Sequence, residues 1–342
     1  MSEGARAETA SRRPAFALGL NPYGLAYHLG LQGAGGPRAN PNGAGLEGFI
    51  AIAAELGAEA LEIYDPWLRA MHDDDLSGLR DRLAALGMTP IVSSGLMMGP
   101  FESALRSARL LGARVIRYGL TSVLCGDRHA LGDKWPELVA HVRATLAANG
   151  PRAAEAGRTL AIENHQDFTS EELVDFCQSA AGVGVCLDTG NAFPVAESPL
   201  EFARRVAAHV VHVHLKDYRV QFTDEGFRLI RCAIGDGAVP FPAVLDVLAE
   251  PGPRLTAVLE PGALEARHVR WLTPQWWRFY PLKAAPDLAA CLAAARVNRL
   301  AEDADARTPW ECGEDGAIAA YELVMIRRSA DNMRAIGLGA IS

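Results

Sequence analysis

LAIENH (160–165), VGVCLDTGN (183–191), VVHVHLKD (210–217) and AVLEPG (257–262) share one pattern: an apolar run that ends in a residue able to hold a divalent metal. The Val/Leu/Ile/Ala-rich run is what a strand buried on both faces requires, as in a parallel sheet. The polar residue falls at the strand's C-terminal end: Glu163, Asp188, His214 and Glu260. In a (β/α)8 barrel those ends converge on one mouth, where barrel active sites lie. Three carboxylates and one imidazole suit a hard or borderline cation, Mn²⁺ first, with Mg²⁺, Co²⁺ or Zn²⁺ as alternatives.

Outward from these segments the chain alternates strand and helix. Strands are expected at 16–20, 60–64, 89–93, 114–119, 159–163, 183–188, 210–215 and 255–260. Helical patterns lie between them at Leu46–Leu56, Leu76–Leu86, Phe101–Leu111, Trp135–Glu155, Glu171–Ser179, Pro199–Ala208 and Pro242–Leu248. Gly57, Gly87, Gly112 and Gly157 follow helices as stop signals. Eight strands with intervening helices predict an α/β chain folded as a (β/α)8 TIM barrel. No GxGxxG follows the first strand and no GxxxxGK[ST] occurs, so a nucleotide-binding open sheet is not favoured.

The expected division is a flexible tail at 1–14, a catalytic barrel at 15–265 and a helical C-terminal extension at 266–342. The Gly/Pro/Asn-rich stretch 31–45 reads as a long loop at the mouth, either a lid or a flexible connection. Trp271, Trp276, Trp277 and Tyr280 open the extension. Such a cluster packs either on the barrel or across an interface between copies, and a homodimer or homotetramer is expected.

Composition narrows the function. The chain has 342 residues, 49% of them hydrophobic, enough for one large core. A net charge of −8 gives no basic footprint for nucleic acid. The six cysteines form no CxxC pair and read as reduced thiols of a cytoplasmic protein. No stretch approaches a membrane span and the N-terminus lacks the apolar core of a signal peptide. The expected partner is a small carbohydrate.

The ordered motifs I-E-N-H, L-D-T-G-N, H-V-H-L-K-D, G-D-G-x-V-P-F (235–241) and L-E-P-G resemble the xylose-isomerase-like TIM-barrel superfamily of sugar isomerases and epimerases. The resemblance spans about residues 15–265. It implies that Glu163, Asp188, His214 and Glu260 bind one divalent metal and that the two glutamates flank the substrate as acid and base. The same superfamily includes lyases, so the resemblance leaves the substrate open. Ketose-epimerase and hydroxypyruvate-isomerase relatives place a substrate-contacting histidine three residues after the aspartate, where this chain has Asn191.

The chemistry fits the residues independently. Removing a proton beside a carbonyl generates an enediolate, which a metal stabilises as a Lewis acid while carboxylates take and return the proton. The first reading is therefore a metal-dependent isomerase or epimerase of a small sugar derivative. The alternative is a lyase (decarboxylase, dehydratase or keto-glycoside eliminase) acting on a keto-sugar or keto sugar acid. Strand alternation adds His165, which contacts substrate or fixes Glu163, and Lys216, a substrate contact or a salt bridge with Asp217 or a rim glutamate; Asn191 and Arg219 read as binders of a substrate hydroxyl or carboxylate, Arg219 because its guanidinium can grip a carboxylate. Asn164 is a further polar candidate, and Glu62, Tyr64 and Arg117 read as pocket lining, for substrate contact or structural pairing. The histidines at 28, 72, 129, 141, 209 and 268 read as surface or structural.

Overall fold

A computed structural model of the chain describes residues 16–249, 254–262 and 265–338. The expected tail at 1–14 lies outside the described residues. Seven strands come first: β1 (Phe16–Leu20), β2 (Ala60–Tyr64), β3 (Thr89–Gly95), β4 (Val115–Gly119), β5 (Thr159–Glu163), β6 (Val183–Asp188) and β7 (Val210–Leu215). A hairpin of β8 (Tyr218–Thr223) and β9 (Gly226–Arg231) follows, then β10 (Leu255–Leu259) and β11 (Arg267–Val269). The parallel strands close in the order β1-β10-β7-β6-β5-β4-β3-β2, so β10 is the eighth barrel strand. This is the (β/α)8 barrel expected.

Helices cover the outside: α1 (Gly45–Glu55), α2 (Asp65–Arg69), α3 (Asp73–Ala85), α4 (Phe101–Leu111), α5 (Lys134–Glu155), α6 (Ser170–Ser179), α7 (Pro199–Val206) and α8 (Phe241–Leu248). The C-terminal part adds α9 (Ala285–Ala295), α10 (Pro309–Cys312) and α11 (Asp315–Ala335). Local chemistry sets the ends. Thr169 and Glu172 form a reciprocal capping box at the start of α6. Gly57, Gly87, Gly112 and Gly157 all take positive φ just past their helices, as their stop-signal reading requires.

The eighth strand's covering helix is α11, reached only after the C-terminal excursion. Its Ile326, Ala330 and Met333 are buried in the main core. Arg327 pairs with Glu55 and Arg334 bonds the Leu56 carbonyl, which seats α11 beside α1. Glu322 of the same helix accepts the backbone N–H groups of Tyr27 and His28 at 3.2 and 2.8 Å. The 31–45 loop is tied to this region as well. Arg38 Nε donates to Asp315 at 2.9 Å, and its guanidinium lies 3.6 Å above the Trp310 ring.

The aromatic cluster packs within the chain. Trp276 is fully buried and stacks on Tyr280 with centroids 4.3 Å apart. Trp276 Nε1 donates to the Cys125 carbonyl and the Tyr280 hydroxyl to that of Gly126, both on the connection after β4.

The hairpin β8–β9 and β11 form an antiparallel three-stranded sheet that the sequence reading did not anticipate. Its signal was present: YRVQFT and GFRLIR alternate apolar and polar residues about the two-residue turn Asp224–Glu225. Paired residues share a face, which puts Tyr218, Val220, Phe227, Leu229, Arg231, Arg267 and Val269 on one side, all buried. Asp217, between β7 and this sheet, accepts backbone N–H groups from Tyr218, Gly235, Gly237 and Val239 at 2.8–3.0 Å. The G-D-G-x-V-P-F motif is thus a loop folded around one carboxylate. Gly237 is required there, because a Cβ would stand 2.3 Å from Asp217 Oδ1.

Candidate metal centre

Strand ends deliver the site. Glu163 closes β5, Asp188 closes β6, His214 lies one residue before the end of β7, and Glu260 follows β10 directly. Asp188 is paired in register with His214, and His214 with Val258, so these side chains emerge at one level of the barrel. One ligand atom from each of Glu163, Asp188, His214 and Glu260 lies within 4.8 Å of all the others, and all four residues are buried.

Each carboxylate is supported separately. Arg117, on β4, forms a buried ion pair with Glu163 Oε2. Lys216 Nζ bridges Asp188 Oδ2 at 2.5 Å and Glu260 Oε1 at 2.6 Å. Asp188 Oδ1 accepts the backbone N–H groups of Gly190 and Asn191 at 3.0 and 3.1 Å. Asn164 clamps the Asp188 backbone, donating to its carbonyl at 2.8 Å and accepting its N–H at 2.7 Å.

His214 is fixed from below. Its Nε2 lies 2.6 Å from Glu62 Oε2, and His212 Nε2 lies 2.9 Å from the same oxygen, across the barrel interior. An ionised carboxylate only accepts, so both ring nitrogens donate and His214 Nδ1 is left facing the site. Burial raises the Glu62 carboxyl, but the charge of His214 and the hydrogen bonds from both histidines outweigh it and hold Glu62 well below the usual range. His214 Nδ1 in turn lies 3.1 Å from Glu163 Oε1 and 2.9 Å from Glu260 Oε2. The Glu260 oxygen is buried and has no hydrogen-bond partner of proper geometry among the described residues.

That convergence is a test of fit for a metal. Burial lowers His214, but Cys186, Glu62 and Glu163 together hold it well above its usual range, so without an ion Nδ1–H faces the two carboxylate oxygens, and a cation displacing that proton would satisfy all three groups. Four carboxylates, at 62, 163, 188 and 260, face two permanent cations, Arg117 and Lys216. Burial pushes Asp188 up to about 6, with repulsion from Glu260 and Glu163 added and the Lys216 ammonium opposing it. Glu163 and Glu260 are also raised by burial, yet Arg117 with His214 and Lys216 with His214, respectively, bring both well below the usual range. The donor set fits a divalent ion.

A cavity of about 390 Å³ opens beside the cluster. Tyr23, Arg117, Thr121, His165, Arg231, Glu260 and Arg267 are among its lining residues. Of the four substrate contacts read from sequence, His165 lines it directly. Its Nδ1 is buried without a hydrogen-bond partner among the described residues, and burial lowers its pKa to about 4, so the ring is neutral near pH 7. Lys216 and Asn191 are buried against Asp188, and the Asn191 Oδ1 accepts from the Tyr218 hydroxyl at 3.3 Å. The Asp217 pairing considered for Lys216 does not form, because Asp217 is taken by backbone N–H groups. Arg219 is exposed on the outer face of β8 and does not reach the cavity. Strand alternation explains this: its neighbour Tyr218 and the cross-strand Arg231 face inward, one residue out of phase. Arg231 and Arg267 stand at the cavity instead, and only the unread hairpin pattern could have located them.

A buried carboxylate–imidazole cluster that could hold a metal ion thus lies at the C-terminal mouth of a (β/α)8 TIM barrel. A family model described as xylose isomerase-like TIM barrel matches residues 50–275, and the chain belongs to that family. Among curated proteins, it is 27% identical over 235 residues to the 3-oxo-isoapionate decarboxylase of Pectobacterium atrosepticum, covering 67% of this chain and 79% of the relative. It is 33% identical over 176 residues to the rhizopine catabolism protein MocC of Rhizobium meliloti, covering 44% of this chain and 53% of that one. Among solved structures, a D-psicose 3-epimerase in the presence of D-fructose aligns over 87% of this chain and 95% of its own, with a TM-score of 0.54 at 18% identity. That last likeness is one of fold.

Because Glu62 orients His214, Glu62→Gln should weaken metal affinity about 10–100-fold. Isothermal titration of the metal-stripped protein with Mn²⁺ checks this; an unchanged dissociation constant would remove Glu62 from the supporting role.

Proposed function

We propose that the chain is a divalent-metal-dependent isomerase or epimerase that acts on a small sugar derivative through an enediolate. The observation that carries this reading is the convergence of Glu163 and Glu260, both held ionised, on His214 at the edge of a cavity. A divalent ion held by Glu163, Asp188, His214 and Glu260 would supply Lewis-acid stabilisation of negative charge on substrate oxygen; Mn²⁺ is our preferred ion, ahead of Mg²⁺, Co²⁺ and Zn²⁺.

The chain's own groups divide the remaining work. Glu260 lines the cavity, its Oε1 held by Lys216 and its Oε2 facing His214 Nδ1, and in this reading it takes a proton from a carbon beside the carbonyl. Glu163 is held by Arg117, and in this reading it returns a proton on the other side. Neutral His165 offers a ring nitrogen to a substrate hydroxyl. Lys216 and Asn191 position Asp188 and, with His165, complete the polar wall toward the substrate. In this reading the barrel at 15–265 carries the catalysis and the segment at 266–342 completes its wall.

A second reading is favoured by a separate observation. The relative that aligns over 79% of its own length bears the name of a decarboxylase. A metal-dependent lyase, losing CO₂ or water from a keto-sugar or keto sugar acid, uses the same electron sink and depends less on a proton acceptor.

No helix among the described residues is long and apolar enough to cross a membrane. We place the enzyme in the cytoplasm. We also propose a homodimer or homotetramer, with exposed Leu272 and Leu282 as apolar surface near the aromatic cluster. Light scattering should give at least twice the mass of one chain at micromolar concentration; a monomer mass rules the assembly out.

Glu163→Gln and Glu260→Gln each keep size and an oxygen ligand while removing a proton acceptor. Turnover should fall about 10²–10⁴-fold in each. Solvent deuterium exchange into substrate, followed by NMR across a panel of ketoses and keto acids, should be abolished in the Glu260 variant. Exchange at the wild-type rate in both variants would show the two-glutamate mechanism to be wrong, and mass loss without exchange would select the lyase.

A further inference from the structure

The inner face of the added sheet carries two arginines that the cluster chemistry does not use. Arg231 ends β9 and Arg267 begins β11, and both line the cavity that Glu260 also lines. They are 6% and 8% exposed, so both are taken almost wholly out of water. Arg231 Nε and Nη1 and Arg267 Nε have no hydrogen-bond partner among the described residues. Arg267 Nη1 is steadied by Glu265 at 2.6 Å, whereas Arg231 forms no ion pair among the described residues. A buried guanidinium with idle N–H groups is costly unless an acceptor completes it.

The barrel's acids do not serve as that acceptor. Glu163 is taken by Arg117, Asp188 and Glu260 by Lys216, and Glu62 by the two histidines. The fold also keeps space for Arg231: a Cβ on Gly262, in the L-E-P-G segment, would stand 2.3 Å from Arg231 Nη1. Gly262 therefore serves both its own positive φ of +63° and the seat of this side chain.

We propose that Arg231 and Arg267 form an anion subsite that binds the carboxylate of a keto sugar acid, with the reacting end of the same molecule at Glu260. The planar donor forks of arginine match a carboxylate in bidentate geometry. A cavity of about 390 Å³ spanning the two arginines and Glu260 accommodates a six-carbon sugar acid. The subsite deepens the proposed function and rests on it for the reacting end alone.

The test uses three matched ketohexose probes: D-fructuronate, D-fructose and D-fructose 6-phosphate. Each is titrated calorimetrically into the full chain loaded with Mn²⁺, for wild type, Arg231→Gln, Arg267→Gln and Arg231→Lys. Wild type should bind D-fructuronate about tenfold or more tighter than D-fructose, since hydrogen bonds to charged groups are strong. Both Gln variants should lose that preference while their affinity for D-fructose changes less than about threefold. Arg231→Lys keeps the charge but not the fork and should retain only part of the preference. It also covers the case in which a Gln variant fails to fold, as judged by its melting temperature.

Equal affinity for D-fructuronate and D-fructose in wild type overturns the subsite, as does a preference that survives in both Gln variants. Tighter binding of D-fructose 6-phosphate than of D-fructuronate, lost in the same variants, overturns the carboxylate assignment. The proposed function fails separately: wild type that prefers D-fructuronate yet holds no metal contradicts the metal-dependent reading and leaves the arginine subsite standing.

Discussion

Burying four carboxylates at one end of a barrel is the constraint on which the rest of this structure depends. Each costs several kcal/mol to desolvate unless a cation or hydrogen-bond donor meets it. The chain answers locally. Arg117 meets Glu163, Lys216 spans Asp188 and Glu260, and His212 with His214 meets Glu62. Glu62 sits on β2 and its two histidines on β7, so the polar interior ties together strands that are not neighbours in the sheet. The unmet remainder is concentrated where His214 Nδ1 faces Glu163 and Glu260. Negative charge converging on one imidazole nitrogen fits a cation at that point.

The same constraint explains the residues that hold the clustered side chains in place. Glu62 decides which nitrogen of His214 faces the mouth, and Asn164 decides where the Asp188 backbone lies. The Asp217 carboxylate gathers the 235–239 loop beneath the added sheet. That sheet roofs the mouth, and its outer face is held by the C-terminal segment: Gln221 bonds the carbonyls of Ala301, Glu302 and Ala304, and Arg228 pairs with Glu311. The roof and the C-terminal segment thus form one connected structure around the cavity.

Much of this was legible before any coordinates. The eight barrel strands and the four clustered side chains follow from one repeated pattern, an apolar run closed by a ligand residue, because burial on both faces leaves little freedom in composition. The added sheet was less visible, since its strands are short and follow β7 after only two residues, so VVHVHLKD and YRVQFT read as one extended stretch. Missing the hairpin had a specific cost. Arg219 was chosen as the anion-binding arginine when the inward phase of the pleat belongs to Tyr218 and Arg231. Glu62 presents a different difficulty: a lone acid in ALEIY carries no local sign of the two histidines it meets across the barrel. The role of α11 was also hidden, because the covering helix of the eighth strand comes some fifty-five residues after that strand ends.

The central claim is that Glu163, Asp188, His214 and Glu260 form a single divalent-metal site. Metal analysis of purified wild type after equilibration with Mn²⁺ and desalting, beside Asp188→Ala and His214→Ala, tests it most directly. The expected result is close to one equivalent per chain in wild type and a loss of most of it in both variants, with the melting transition of each still cooperative. Wild-type metal content in both folded variants, or none in wild type, contradicts the claim.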